Sequence, residues 1–141
     1  MTYFDTSALA KWYLSEPSSD EVERYIMGHA PVAISDLTAL ELRVLLARKR
    51  RERRFDARQE MRLFSVFEED VRRGHLDQRP FDGNVAMAAL AVVEEVPERG
   101  LRTLDALHLG FARELQAETL ATADRTMAEA ARELGLEVIR F

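Results

Sequence analysis

Asp5, Glu41, Asp105 and Asp124 are the four residues whose type and placement point to shared chemistry. Asp5 follows the short run TYF, and Asp124 lies two residues beyond the run TLAT. Each therefore falls at or just past the carboxyl end of a predicted strand, where an aspartate also serves as an ordinary turn or N-cap residue. Glu41 is more unusual. It lies four residues after Leu37, three before Val44 and four before Leu45, within the apolar face of a predicted helix. An ionised carboxylate is costly to remove from water, so Glu41 requires a partner: Arg43, Lys11 or another basic group, or a cation shared with other acids. Asp105 stands two residues after Thr103, the predicted N-cap of a further helix, where a carboxylate also stabilises the helix start.

If these four converge, their repulsion must be relieved by protonation or by a cation. An all-oxygen set of hard ligands favours Mg²⁺ or Mn²⁺ over zinc, with room for one ion or two. Such ions activate water, orient a phosphodiester and stabilise a leaving oxygen. Thr6, Ser7 and Thr122 add hydroxyls beside the strand-end aspartates, and Ser7 and Thr122 are the accessory candidates. His108 follows Asp105 by three residues and so shares its helix face, but the apolar segment LDALHLGF equally suits a packed histidine. His29 and His75 fall in turns with no partner visible in the sequence.

Positioning these residues requires a layered scaffold. Strands are predicted at 2–5, 31–34, 119–122 and 137–141, separated by helical segments. The helices start near Ala8, Ser18 or Ser19, Ser35 or Asp36, Asp56, Asn84, Thr103, and Asp124 or Thr126. In the helix that carries Glu41, Leu37, Leu40, Val44, Leu45 and Ala47 form the expected core face. Asp56 and Gln59 make a capping-box pattern ahead of the stripe Leu63, Phe64, Phe67 and Val71, and Gly74 closes that helix. Gly135 is the expected C-cap of the last helix. Strands alternating with helices imply an α/β fold with a mainly parallel central sheet flanked by helices, and one domain over residues 1–141. Ligands in such folds gather at the carboxyl ends of the strands, where the strand order reverses.

The 141 residues, 47% hydrophobic and 32% charged, suffice for a real core, and the absence of cysteine excludes disulfides, thiolate zinc sites and a cysteine nucleophile. The first residues have no basic leader before an apolar run, and no uncharged apolar stretch approaches the length of a membrane span. A cytoplasmic protein without membrane contact is expected. The net charge of -5 disfavours a general nucleic-acid binder, yet Arg48, Lys49, Arg50, Arg51, Arg53 and Arg54 place six positive charges within seven residues. That run is either the solvated end of a helix or a local contact for RNA.

Asp5 in YFDTSALAKWYLSEP, Glu41 in ISDLTALEL, Asp105 in LRTLDALHLGFA and Asp124 in LATADRTMAEAARELGLEVI together resemble the PIN-domain ribonucleases, above all the VapC toxins of type II toxin-antitoxin pairs. The resemblance covers essentially the whole chain. It implies a three-layer PIN-like fold and an Mg²⁺- or Mn²⁺-dependent endoribonuclease that cleaves single-stranded RNA or RNA loops. It also implies a cognate antitoxin and a homodimer. By motif, Asp5, Glu41 and Asp105 match the common catalytic and metal-binding acids, Asp124 the more variable fourth acid, and Ser7 and Thr122 the accompanying hydroxyls. Two other functions compete: a non-catalytic RNA- or protein-binding protein, using Trp12, Tyr13 and Tyr25 as a surface, and a phosphohydrolase with Asp5 as nucleophile. The second is weakened because the segment DTS lacks another aspartate two residues on.

Overall fold

The computed structural model describes residues 1–141. Its centre is a five-stranded, wholly parallel sheet in the order β3-β2-β1-β4-β5. The strands are β1 (Thr2–Phe4), β2 (Val32–Ser35), β3 (Leu76–Arg79), β4 (Thr119–Thr122) and β5 (Glu137–Arg140). The helices are α1 (Thr6–Tyr13), α2 (Ser19–His29), α3 (Asp36–Arg51), α4 (Ala57–Arg72), α5 (Gly83–Glu95), α6 (Thr103–Glu114) and α7 (Arg125–Glu133). None is long and apolar enough to cross a membrane.

Both faces of the sheet are covered, so its central strands carry consecutive apolar residues, with Ser35 and Thr122 at the carboxyl ends of β2 and β4. Successive residues alternate between two cores. Phe4, Val32, Ile34 and Ala121 pack with residues from α1 to α4, whereas Tyr3, Ala33 and Leu120 pack with residues from α5 to α7. The sheet builds outward from β1 in both directions, through β2 on one side and β4 on the other. The strand order therefore reverses at β1, and the crevice beyond the ends of β1 and β4 is where a ligand is expected.

The α/β architecture, the parallel sheet and the Asp56–Gln59 capping box agree with the sequence reading. Gly135 follows α7 with φ +87°, a left-handed conformation that glycine adopts without steric penalty. Four expectations need correction. The sheet has a fifth strand, β3, whose sequence LDQR carries little apolar signal because it lies at an edge and pairs only with β2. The core face of α3 is made by Leu37, Thr38, Leu42 and Leu46, while Leu40 and Val44 stand exposed. Thr103 begins α6 instead of capping it: Arg102 is the N-cap, and Asp105 turns back to accept its backbone N–H. Ser18 takes the N-cap position of α2 without a side-chain hydrogen bond, and Ser19 instead binds the carbonyls of Leu14 and Glu16.

Candidate functional site

Asp5, Glu41, Asp105 and Asp124 line one cleft of ≈ 540 Å³ at the crevice beside β1 and β4. Three of them also organise helix starts. Asp5 Oδ1 accepts the Ala8 N–H at 2.9 Å, and Asp124 Oδ1 accepts the Met127 N–H at 2.8 Å. Asp105 Oδ2 accepts the Arg102 N–H at 3.0 Å. At Asp105 and Asp124 the capping role and the cleft position coexist, since one carboxylate oxygen makes the capping bond and the other is left over.

Asp5 is buried, and its nearest hydrogen-bond partners are neutral. Ser7 Oγ donates to Oδ1 at 2.7 Å, and Thr122 Oγ1 donates to Oδ2. Burial pushes the Asp5 pKa above the ordinary carboxyl range despite the opposing pull of His108, these hydroxyls and the Ala8 N–H. Ser7 and Thr122 thus brace Asp5. They also tie it to the β4–α7 turn: Ser7 Oγ accepts from Ala123 N at 2.8 Å, and Thr122 Oγ1 accepts from Asp124 N at 3.0 Å.

Glu41 is held by Thr6 and His108, not by the basic residues considered from sequence. Thr6 Oγ1 donates to Glu41 Oε2, and His108 Nε2 lies 2.6 Å from the same oxygen. Arg43 pairs with Glu60 instead, and Lys11 binds the Pro17 carbonyl. His108 is buried, with Nδ1 at 2.8 Å from the Tyr3 hydroxyl, which also contacts Ser35. An ionised Glu41 only accepts, so Nε2–H is the donor of that pair, while Nδ1 shares its hydrogen bond with the Tyr3 hydroxyl. Burial raises the Glu41 pKa, but the hydrogen bonds from His108 and Thr6, with the charges of His108 and Arg102, outweigh it and hold the carboxyl below its usual range.

The basic run divides when folded. Arg48 lines the cleft, whereas Arg50 joins Arg43 on buried Glu60 between α3 and α4. Lys49 and Arg54 line a separate depression with Glu16 and Phe55, and Arg51 and Arg53 are exposed. Thr6, His108 and Arg102 are cleft residues that the sequence reading left without an assigned role. His108 carried a faint signal in its spacing from Asp105; Arg102 carried none beyond its nearness to that acid. Of the aromatic residues considered as a binding surface, Tyr13 is buried on Asp70, while Trp12 and Tyr25 pack against the core.

The donor set fits a hard divalent cation in chemistry. No hydrogen bond reaches Glu41 Oε1 or Asp105 Oδ1, and no buried side-chain polar atom lacks a partner, so both oxygens face accessible space. As the side chains stand, no group of three or more acidic or histidine residues closes on one coordination point.

A family model for the PIN domain matches residues 2–133. The chain belongs to the PIN-domain family. Over 139 residues it is 32% identical to Ribonuclease VapC46 of Mycobacterium tuberculosis, an alignment covering 97% of this chain and 95% of that protein. Among solved structures, VapC20 of Mycobacterium tuberculosis, described as a sarcin-ricin loop cleaving toxin, superposes with a TM-score of 0.70 at 17% identity, covering 92% of this chain and 95% of that one. VapBC2 of Rickettsia felis, bound to a promoter DNA fragment, gives a TM-score of 0.71 at 18% identity, covering 100% and 99%. The structural matches share the PIN fold, and within the family this PIN domain is related to the VapC type of toxin-antitoxin systems.

Proposed function

We propose that this PIN domain is an Mg²⁺- or Mn²⁺-dependent endoribonuclease that cuts single-stranded RNA or RNA loops, acting as the toxin of a toxin-antitoxin pair. The observation that carries the proposal is the convergence of Asp5, Glu41, Asp105 and Asp124, from four separate elements, on one cleft at the reversal of the sheet. Asp5 and Asp105 are the principal candidate ligands, Glu41 completes the set, and Asp124 serves a weaker or second position. When bound, the ion supplies Lewis-acid activation of water and positive charge for the phosphodiester.

The protein's own groups perform the remaining work. Thr6 and His108 fix Glu41 through Oε2, so that Oε1 faces the cleft to accept a hydrogen from the attacking water. Ser7 and Thr122 keep Asp5 from swinging away. Arg48 at the cleft wall receives the RNA backbone, while Leu40, Val44 and Leu104 offer exposed apolar surface to unstacked bases or to the antitoxin that covers the cleft. Action in the cytoplasm as a homodimer belongs to the same reading. An aspartyl-phosphate route is disfavoured because the segment DTS carries no second aspartate two residues after Asp5.

The test is cleavage of an end-labelled single-stranded RNA by purified wild type, Asp5→Asn and Asp105→Asn. The expected result is Mn²⁺- or Mg²⁺-dependent internal cleavage that falls by at least about 100-fold in either variant without loss of the fold. Undiminished cleavage by correctly folded variants, or full activity in excess chelator, overturns the proposal.

A further inference from the structure

Arg102 enters the acid cluster from the rim of the cleft. Its Nε lies 3.3 Å from Asp105 Oδ2, and its Nη2 lies 4.0 Å from Asp124 Oδ2. One guanidinium therefore spans carboxylates belonging to the first turn of α6 and the N-cap of α7. The Arg102 backbone is anchored by its N–H bond to Asp105, but the side chain is 78% exposed. Its hydrogen bond and charge interaction with Asp105, followed by the charges of Asp124 and Glu41, raise its pKa. The other arginine lining the cleft, Arg48, pairs at 3.9 Å with Glu52, the C-cap of α3, and forms no ion pair with the four acids.

Converging carboxylates that stay ionised need a counter-charge, with or without a bound metal. A guanidinium supplies one positive charge spread over a planar fork, whereas a divalent ion supplies two at a point. The two demand different spacings of the same oxygens. Spacing by a guanidinium agrees with the finding that no three acids close on one coordination point. An exposed ion pair is weak and screened by salt, so it is readily exchanged.

We propose, building on the metal-site reading above, that Arg102 is an exchangeable counter-ion of the acid cluster. It bridges Asp105 and Asp124 in the metal-free protein, and entry of a divalent cation turns its side chain out of the cleft. Arg102 consequently competes with the cation for the carboxylates and protects the metal-free fold from their repulsion.

The experiment is calorimetric titration of Mn²⁺ into metal-stripped wild type, Arg102→Gln and Arg48→Gln, with thermal melting in chelator and in Mn²⁺. Arg102→Gln is expected to bind Mn²⁺ about fivefold more tightly at low salt, whereas Arg48→Gln changes affinity by less than about twofold. In chelator Arg102→Gln melts below wild type, and Mn²⁺ restores it. Equal tightening in both variants reduces the effect to net cleft charge and overturns the exchange. Unchanged or weaker binding by Arg102→Gln, with wild type still binding, also overturns it while leaving the metal site standing. Absence of Mn²⁺ binding by wild type removes both the exchange and the metal site.

Discussion

At the scale of single residues, Asp5 carries the main conflict between stability and the proposed activity. It is buried among neutral donors, and burial raises its pKa. A carboxyl whose folded pKa is raised contributes stability that is present below its unfolded pKa and lost as pH rises through the folded value. Asparagine cannot ionise, so metal-free Asp5→Asn should melt above wild type at pH 8, with the gap narrowing as pH falls through the raised folded value and closed below about 4. Melting curves in chelator across that range check it; a variant less stable at every pH contradicts it. His108 holds Glu41 and was only half legible: three-residue spacing put it beside Asp105, but its bonds to Glu41 and Tyr3 join residues 67 and 105 positions apart. Replacing it with Phe strips Glu41 of one anchor. His108→Phe should lower both Mn²⁺ affinity and RNA cleavage by about 10- to 100-fold, and His108→Gln, which can retain a donor, should lose less. Equal effects in titration and kinetics for the two variants would remove the positioning role.

At the scale of elements, the difference between what the sequence disclosed and what it hid follows from how each segment is buried. β1, β2 and β4 are covered on both faces and are legible as apolar runs, and with them the positions of Asp5 and Asp124. Edge strand β3 needs no such run, so LDQR was silent. In α3, apolar residues occupy more than one side. Spacing alone selected Leu40 and Val44, but packing selects Leu42 and Leu46. The misassigned pair instead lines the cleft, which is why Glu41 sits at the boundary of the core. Helix α6, which presents Asp105 and His108, is seated against α5 through Gly110. A Cβ there would meet Ala89 N and Val85 O, both at 2.9 Å. These are backbone atoms, so relief requires the helices to part. Gly110→Ala is expected to destabilise the protein by about 1–2 kcal/mol in denaturant unfolding, overpacking outweighing the better helix propensity of alanine. A stabilised variant would show that α5 and α6 have slack.

At the scale of the whole molecule, net acidity and the proposed RNA substrate are reconciled by the placement of the arginines. The chain carries a net charge of -5, but Arg48 and Arg102 both line the cleft, while Arg43 and Arg50 neutralise Glu60. Only Arg48 and Arg102 stand at the cleft to meet phosphates, so affinity for single-stranded RNA should fall with salt at a logarithmic slope of only about -1.4. Arg48→Ala should make that slope shallower by somewhat less than one unit in a binding titration, and a slope as steep as that of a highly basic RNA binder would contradict this partition. The reversal of strand order beside β1 gathers acids from distant parts of the chain on one cleft, where the proposed cation would bind. Crystals grown with Mn²⁺ and measured for anomalous scattering test it most directly. The expected map has a peak in this cleft, about 2.1–2.3 Å from oxygens of Asp5 and Asp105, with the Arg102 side chain displaced. A cleft without a peak at saturating Mn²⁺, or Mn²⁺ bound only elsewhere, would contradict the account.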